Sequence, residues 1–137
     1  MNDAARLAGL PTEGDWEFRI WFLDDDDMAQ AHVDIMDVPG TTDVITMAYL
    51  EEPEALFPGD MGLELLVCVP FAEREGAERE DSSFAEELML YIVHGCLHAA
   101  GEDDLAEDTR GSMRRREAEV MAALRNTYDF AKIFPDK

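Results

Sequence analysis

The sequence predicts an α+β fold: a single domain in which a small mixed β-sheet packs against helices, and a central helix carries a pair of histidines. Two observations predict it. Apolar residues run in short, mostly alternating stretches up to Val69 and then recur at helical spacing from Phe71 onward, so strands come first and helices follow. The chain has 137 residues, one domain's worth, and 47% of them are hydrophobic, enough to bury roughly two thirds of the unfolded surface without disulfides or metal.

Residues 1 to 14 are short, polar and punctuated by Gly and Pro, and read as a loose lead-in. From Trp16 to Leu23 the alternation of apolar and polar residues favours a strand. Four aspartates, Asp24 to Asp27, then precede Met28 to Val33. Carboxylates at that place cap free N–H groups and oppose the positive end of a helix dipole. The run lacks the alternation of a calcium loop, so it reads as a solvated acidic helix start. Pro39 and Gly40 mark a turn, and Thr41 to Tyr49, rich in β-branched residues, gives a second strand. A loop from Glu51 to Gly62 leads to a third, Glu64 to Val69, whose nearly continuous apolar character suits a strand covered on both faces. Pro70 either ends that strand or opens the next helix. Phe84, Leu88, Tyr91, Ile92 and Cys96 define a long, largely buried helix from about Ser83 to Ala99, with Gly101 placed to stop it. A last helix, about Leu105 to Tyr128, carries Met113, Val120, Met121 and Leu124 on one face.

Charge bounds the function. Eleven Lys and Arg against 32 Asp and Glu give a net charge of −21. Such a field repels polyphosphates and anionic lipid, so broad affinity for DNA or a membrane surface is not expected, and RNA binding requires a local basic patch or a metal. Cys68 and Cys96, the only cysteines, sit in apolar runs without C-x-x-C spacing and read as buried thiols of a reducing compartment. No leader-like or membrane-spanning stretch is visible, and a soluble cytoplasmic protein is the expectation.

Chemistry concentrates near the end of the long helix. His94 and His98 lie four residues apart, about 40° around the helix axis, so both imidazoles emerge on one face and can share a metal ion. Gly101 then allows the chain to turn back, bringing Glu102, Asp103 and Asp104 within reach of that face. Two imidazoles plus one more ligand is the donor set of an open catalytic zinc site. Gly95 follows the first histidine where zincin peptidases need Glu, which disfavours a peptidase mechanism.

The segment from His94 to Asp104, HGCLHAAGEDD, resembles the H-G-x-L-H-L-x-G-Y-D-H motif of the YbeY family of rRNA maturation factors. Thr42 to Met47 is similar to the family's T-D-V-L-S-F block, Glu64 to Val69 to its G-D-I-x-I strand, and Met113 with Glu117 to its M-x3-E helix. The resemblance covers roughly residues 17 to 125. It implies a single-strand-specific, metal-dependent endoribonuclease in rRNA maturation and ribosome quality control, with His94 and His98 catalytic. It also implies that His94, His98 and Asp104 hold Zn²⁺, or a harder ion such as Mn²⁺ or Mg²⁺. Asp103 is expected to orient a ligand from behind, and Thr42 and Asp43 to line the cleft.

Two positions depart from the family pattern. Asp104 stands where the family has a third His, which makes a bound ion a weaker Lewis acid. Met36 stands where many members have an Arg. The third histidine, His32, reads as a surface or packing residue. Arg110, Arg114, Arg115 and Arg116 form either a charge-balanced helix face with Glu117 and Glu119 or a local anion patch, in which Arg110 and Arg114 contact RNA. Glu86 and Glu87 read as solvated helix acids. The expected partners are rRNA or the small ribosomal subunit, and a basic ribosomal protein suited to so acidic a surface. The alternatives are a ribosome-associated maturation factor with a structural or vestigial metal, and a metal-dependent hydrolase of another substrate.

Overall fold

A computed structural model describes residues 2–10, 16–49, 61–102 and 106–135. In chain order these form α1 (Asn2–Leu7), β1 (Glu17–Leu23), α2 (Asp25–Met36), β2 (Val44–Ala48), β3 (Met61–Cys68), α3 (Val69–Glu78), α4 (Phe84–Ala99), α5 (Glu107–Thr127) and α6 (Phe130–Ile133). The fold is the expected α+β arrangement of a small mixed sheet and helices. The strand order is β1-β3-β2, with β3 parallel to β1 and antiparallel to β2.

The central strand is the one whose sequence is apolar on both faces. Leu63, Leu65 and Val67 point into the main core with Leu88, Ile92, Val93 and Cys96 of α4, while Leu66 and Cys68 pack on the other side with Met28 of α2 and Ile45. The strand begins at Met61, earlier than its apolar run suggests, because pairing with β1 starts at Glu17 opposite Met61. Residues 50–60, within the expected loop, lie outside the described residues.

The aspartate run starts a helix. Asp24 caps α2 by accepting from the Asp27 backbone N–H at 2.8 Å. Asp25 receives two bonds from the Arg74 guanidinium, at 2.7 and 2.9 Å, which tie α2 to α3 and hold its carboxyl below the usual range. Pro70 opens α3 rather than merely closing β3, since an N–H missing from a first helical turn leaves no bond unmade. Ser83 caps α4 by accepting from the Glu86 N–H at 3.2 Å, at the start the sequence predicts. Met113, Val120, Met121 and Leu124 form the buried stripe of α5, as expected.

The N-terminus differs from the expectation of a loose lead-in. Residues 2–7 are helical, and Ala4, Ala5, Ala8 and Leu10 are buried in the main core. A helix this short gains its stability from packing, and the small alanines make a face that lies close against α4 and α5. Arg116 of α5 donates to the Leu7 carbonyl at 3.0 Å, satisfying an orphan acceptor at the C-terminal end of α1. Of the lead-in, residues 1 and 11–14 lie outside the described residues. The C-terminal segment adds α6, whose Phe130 is buried and whose neighbour Phe134 meets Phe22 of β1 edge-on at 6.1 Å.

Both cysteines are free, buried thiols, as predicted. Burial raises both, and pushes Cys96 up to about 12. The native protein at pH 8 is expected to leave both thiols unmodified by an aromatic disulfide reagent, and both should react in denaturant. Fast labelling of either in the native state would show that the core around β3 and α4 opens readily.

A second expectation follows from Gly95, where an added Cβ would stand 2.6 Å from Leu65 Cδ2 and 3.1 Å from Thr46 Oγ1. Leu65 is completely buried in the main core, so its methyl group yields only if the side chains around it repack. Overpacking of about 1–3 kcal/mol exceeds the gain of about 1 kcal/mol that alanine offers a helix over glycine, so Gly95→Ala should lower the denaturation midpoint. A raised midpoint would mean that α4 does not sit this close to the sheet.

Candidate metal centre

The last two turns of α4 present His94 and His98 side by side, half-buried, with ring centroids 4.5 Å apart and planes nearly perpendicular at 81°. Each ring has its Nδ1 committed to an acceptor. His94 Nδ1 donates to Glu117 Oε1 of α5 at 2.6 Å, and His98 Nδ1 donates to the Glu102 carbonyl at 3.1 Å. Neither acceptor carries a proton to give, so Nδ1 holds the hydrogen in both rings. The Nε2 atoms therefore turn toward each other, and they stand 2.9 Å apart.

The turn that holds His98 is built by the helix stop the sequence shows. Ala100 caps α4, Gly101 adopts φ +103°, and the Gly101 and Glu102 N–H groups return to the His98 and Leu97 carbonyls, each at 3.0 Å. Only a residue that tolerates positive φ closes this Schellman turn without strain. The same turn aims the Glu102 carbonyl back at the His98 ring. Glu102 thus reaches the site through its backbone carbonyl.

A divalent ion with a preference for imidazole nitrogen fits this donor set, and the Nδ1 partners are the outer contacts that metal-bound histidines make. Among the described residues no group of three or more His, Cys, Asp or Glu side chains is poised on one ion, so the described ligand set is the histidine pair. Asp103 and Asp104, expected as the orienting acid and the third ligand, lie outside the described residues.

The histidines form one wall of a cleft of about 440 Å³. Thr42, Asp43 and Thr46, from the turn into β2 and the strand itself, form another, and His32 and Met36 of α2 close it. The structure thus brings Thr42 and Asp43 together with His94 and His98. The Asp43 carboxylate is bound by the Val44 N–H at 2.7 Å and the Thr42 hydroxyl at 3.2 Å, so it also braces the start of β2. His32 is a cleft residue, not only a surface one, with Nδ1 donating to the Gly40 carbonyl at 2.8 Å. No spacing pattern could have shown this, because His32 reaches the site from another helix.

The arginines lie elsewhere. Arg114 lines a separate depression of about 330 Å³ together with Arg79, Arg125, Glu86, Glu87 and Glu117. Arg110 and Arg115 are exposed on α5, and Arg116 bonds Glu119 at 2.8 Å as well as the Leu7 carbonyl. Among the described residues no guanidinium lines the histidine cleft. The two glutamates expected in solvent are both engaged. Glu86 pairs bidentately with Arg125, and Glu87 is buried, accepting from the Ser82 hydroxyl at 2.9 Å with Arg79 3.6 Å away. Glu117 pairs with His94 rather than with a neighbouring arginine, a role its helical spacing did not suggest.

The chain is similar to known proteins in sequence and in fold. Residues 3–125 match the model of the family described as endoribonuclease YbeY. Endoribonuclease YbeY of Halalkalibacterium halodurans is 34% identical over 131 residues, covering 90% of this chain and 80% of its own. The protein of the same name from Chlamydia caviae is 33% identical over 111 residues, covering 80% and 70%. A solution structure of a Thermotoga maritima protein superposes with a TM-score of 0.54, covering 99% of this chain and 85% of its own at 21% identity, a likeness of fold. With the family's match spanning nearly all of the helices and strands that build the histidine cleft, this chain belongs to the endoribonuclease YbeY family.

Proposed function

We propose that this protein is a metal-dependent, single-strand-specific endoribonuclease that acts on rRNA in ribosome maturation and quality control, in the cytoplasm. The observation that carries the reading is the pair of Nε2 atoms 2.9 Å apart, each ring fixed from behind by an acceptor at Nδ1. Family membership and the names of the relatives support the substrate class. Zn²⁺ is the first choice for two imidazoles, and an oxygen ligand such as Asp104 would shift preference toward Mn²⁺ or Mg²⁺.

The chain's own residues supply position. His94 and His98 would hold the ion at the end of α4, and Thr42, Asp43 and Thr46 line the other wall of the same cleft. When bound, the ion offers a positive charge for the scissile phosphate and a water of lowered pKa. Met36 puts a thioether where many family members carry a guanidinium, so the described cleft wall offers a phosphate little charge of its own. A cleft with half-exposed walls admits an extended strand more readily than a duplex.

A second reading is favoured by that same lack of cleft arginines and by the net charge of −21. It is a factor that docks on a basic ribosomal protein of the small subunit, with the metal serving structure. The two are separated by one variant. Untagged protein should carry a divalent metal by elemental mass spectrometry, and His98→Ala should lose both the metal and cleavage of single-stranded rRNA fragments, by about 100-fold or more, since even outer-shell changes cost 10–100-fold. Undiminished cleavage by the variant would trace the activity to a contaminating nuclease and overturn the first reading. Salt-sensitive co-sedimentation with small subunits that persists in His98→Ala, from a wild type that cuts nothing, would favour the second.

A further inference from the structure

We propose that Glu117 is a positioning residue for the histidine pair: its carboxylate fixes the tautomer and orientation of His94 and makes His94 the stronger of the two metal donors. The inference rests on the reading of His94 and His98 as ligands and deepens it. Glu117 lies outside the histidine motif, in the M-x3-E segment of a different helix 23 residues further along the chain.

Three observations carry the proposal. The His94 Nδ1 to Glu117 Oε1 distance of 2.6 Å is at the short end for a charge-assisted bond, and both groups are largely shielded, with side-chain exposures of 21% and 16%. Glu117 is also set by rigid packing. Met113, Val120 and Met121, one turn to either side, are buried in the core shared with α4, so the register of α5 on α4 delivers the carboxylate to the ring. The two imidazoles are, in addition, held differently. His98 has a neutral carbonyl at 3.1 Å behind it, whereas His94 has a carboxylate. A carboxylate at Nδ1 raises the electron density at Nε2 more than a carbonyl does, so the pair is asymmetric by construction.

The test uses the full chain, with Glu117→Gln, Glu117→Ala and, as a surface-charge control, Glu119→Gln, whose parent side chain is exposed and bonds only Arg116 among the described residues. Zn²⁺ and Mn²⁺ affinities are measured by chelator competition, and imidazole tautomers by ¹⁵N NMR of the metal-free protein. Glu117→Gln keeps an acceptor oxygen and loses the charge, and should weaken Zn²⁺ binding about 10-fold; Glu117→Ala loses both and should weaken it about 100-fold. In Glu117→Ala the His94 tautomer should become mixed, while His98 keeps its Nδ1 hydrogen through the Glu102 carbonyl. Glu119→Gln should change neither.

A His94 tautomer that is unaltered in Glu117→Ala, or Zn²⁺ affinity equal to wild type in both Glu117 variants, would overturn the proposal. Should Glu117→Ala fail to fold, Glu117→Gln alone decides, because it preserves shape. A wild type that binds neither metal, with the His94 tautomer still dependent on Glu117, would defeat the metal reading and leave the positioning role standing.

Discussion

The close approach of α4 to the seam between β2 and β3 is the constraint on which the cleft depends. At Gly95 the helix backbone comes so near the sheet that a single added carbon would collide with Leu65 and crowd Thr46. Leu65 lies opposite Ile20 on one side and Thr46 on the other, so the contact falls on the row that joins all three strands. Because Gly95 sits beside His94 and three residues before His98, pressing the glycine to the sheet sets both imidazoles against the Thr42–Thr46 segment. The glycine in the H-G-x-x-H pattern is therefore an element of geometry. Its separation from the general-base glutamate of the zincins is a difference of chemistry, but its presence is a matter of distance.

From that contact the rest follows in layers. One side of α4 is apolar and buries Leu88, Ile92, Val93 and Cys96 against β3, which fixes the helix axis. The second end of the site is fixed by the Schellman turn at Gly101, which uses the stop of α4 to supply an acceptor for His98. The third anchor is α5, which packs through Met113, Val120 and Met121 and carries Glu117 to His94. Each imidazole is thus oriented by a part of the fold that exists for packing or termination.

How much of this was legible in the sequence depends on the range of the interaction. The strands, the aspartate cap of α2, the Ser83 start of α4 and the buried stripe of α5 are local patterns, and they sit within a few residues of where periodicity placed them. The histidine pair was equally legible, because helical spacing alone puts two imidazoles on one face. The errors share a different cause. Residues 2–10 looked loose because the segment is short, polar and punctuated by Gly and Pro, yet the small side chains of its alanines let α1 lie close to α4. Glu87 looked solvated because nothing local announces Ser82 and Arg79 as its partners. Glu117 and His32 reach the site from separate helices, and no spacing rule connects them to His94.

The arginines of α5 show why net charge and motif pulled in different directions. Four of them within seven positions suggested a patch able to offset the charge of −21 near the metal motif. In the fold, Arg116 is spent on α1 and Glu119, and Arg114 opens onto a depression that also holds Glu86, Glu87 and Glu117. With Asp81 that makes four carboxylates against three guanidiniums, Arg79, Arg114 and Arg125, so the depression has no net positive charge to draw a phosphate. On the proposed reading, the pull on an RNA backbone then comes from the ion between the histidines and acts over one Debye length, about 8 Å at physiological salt. With such an ion bound, an acidic body would repel polyanions until one strand is already within the cleft. On the proposed reading, such a charge distribution would suit delivery to RNA by the proposed basic protein partner better than a search of nucleic acid by electrostatic attraction.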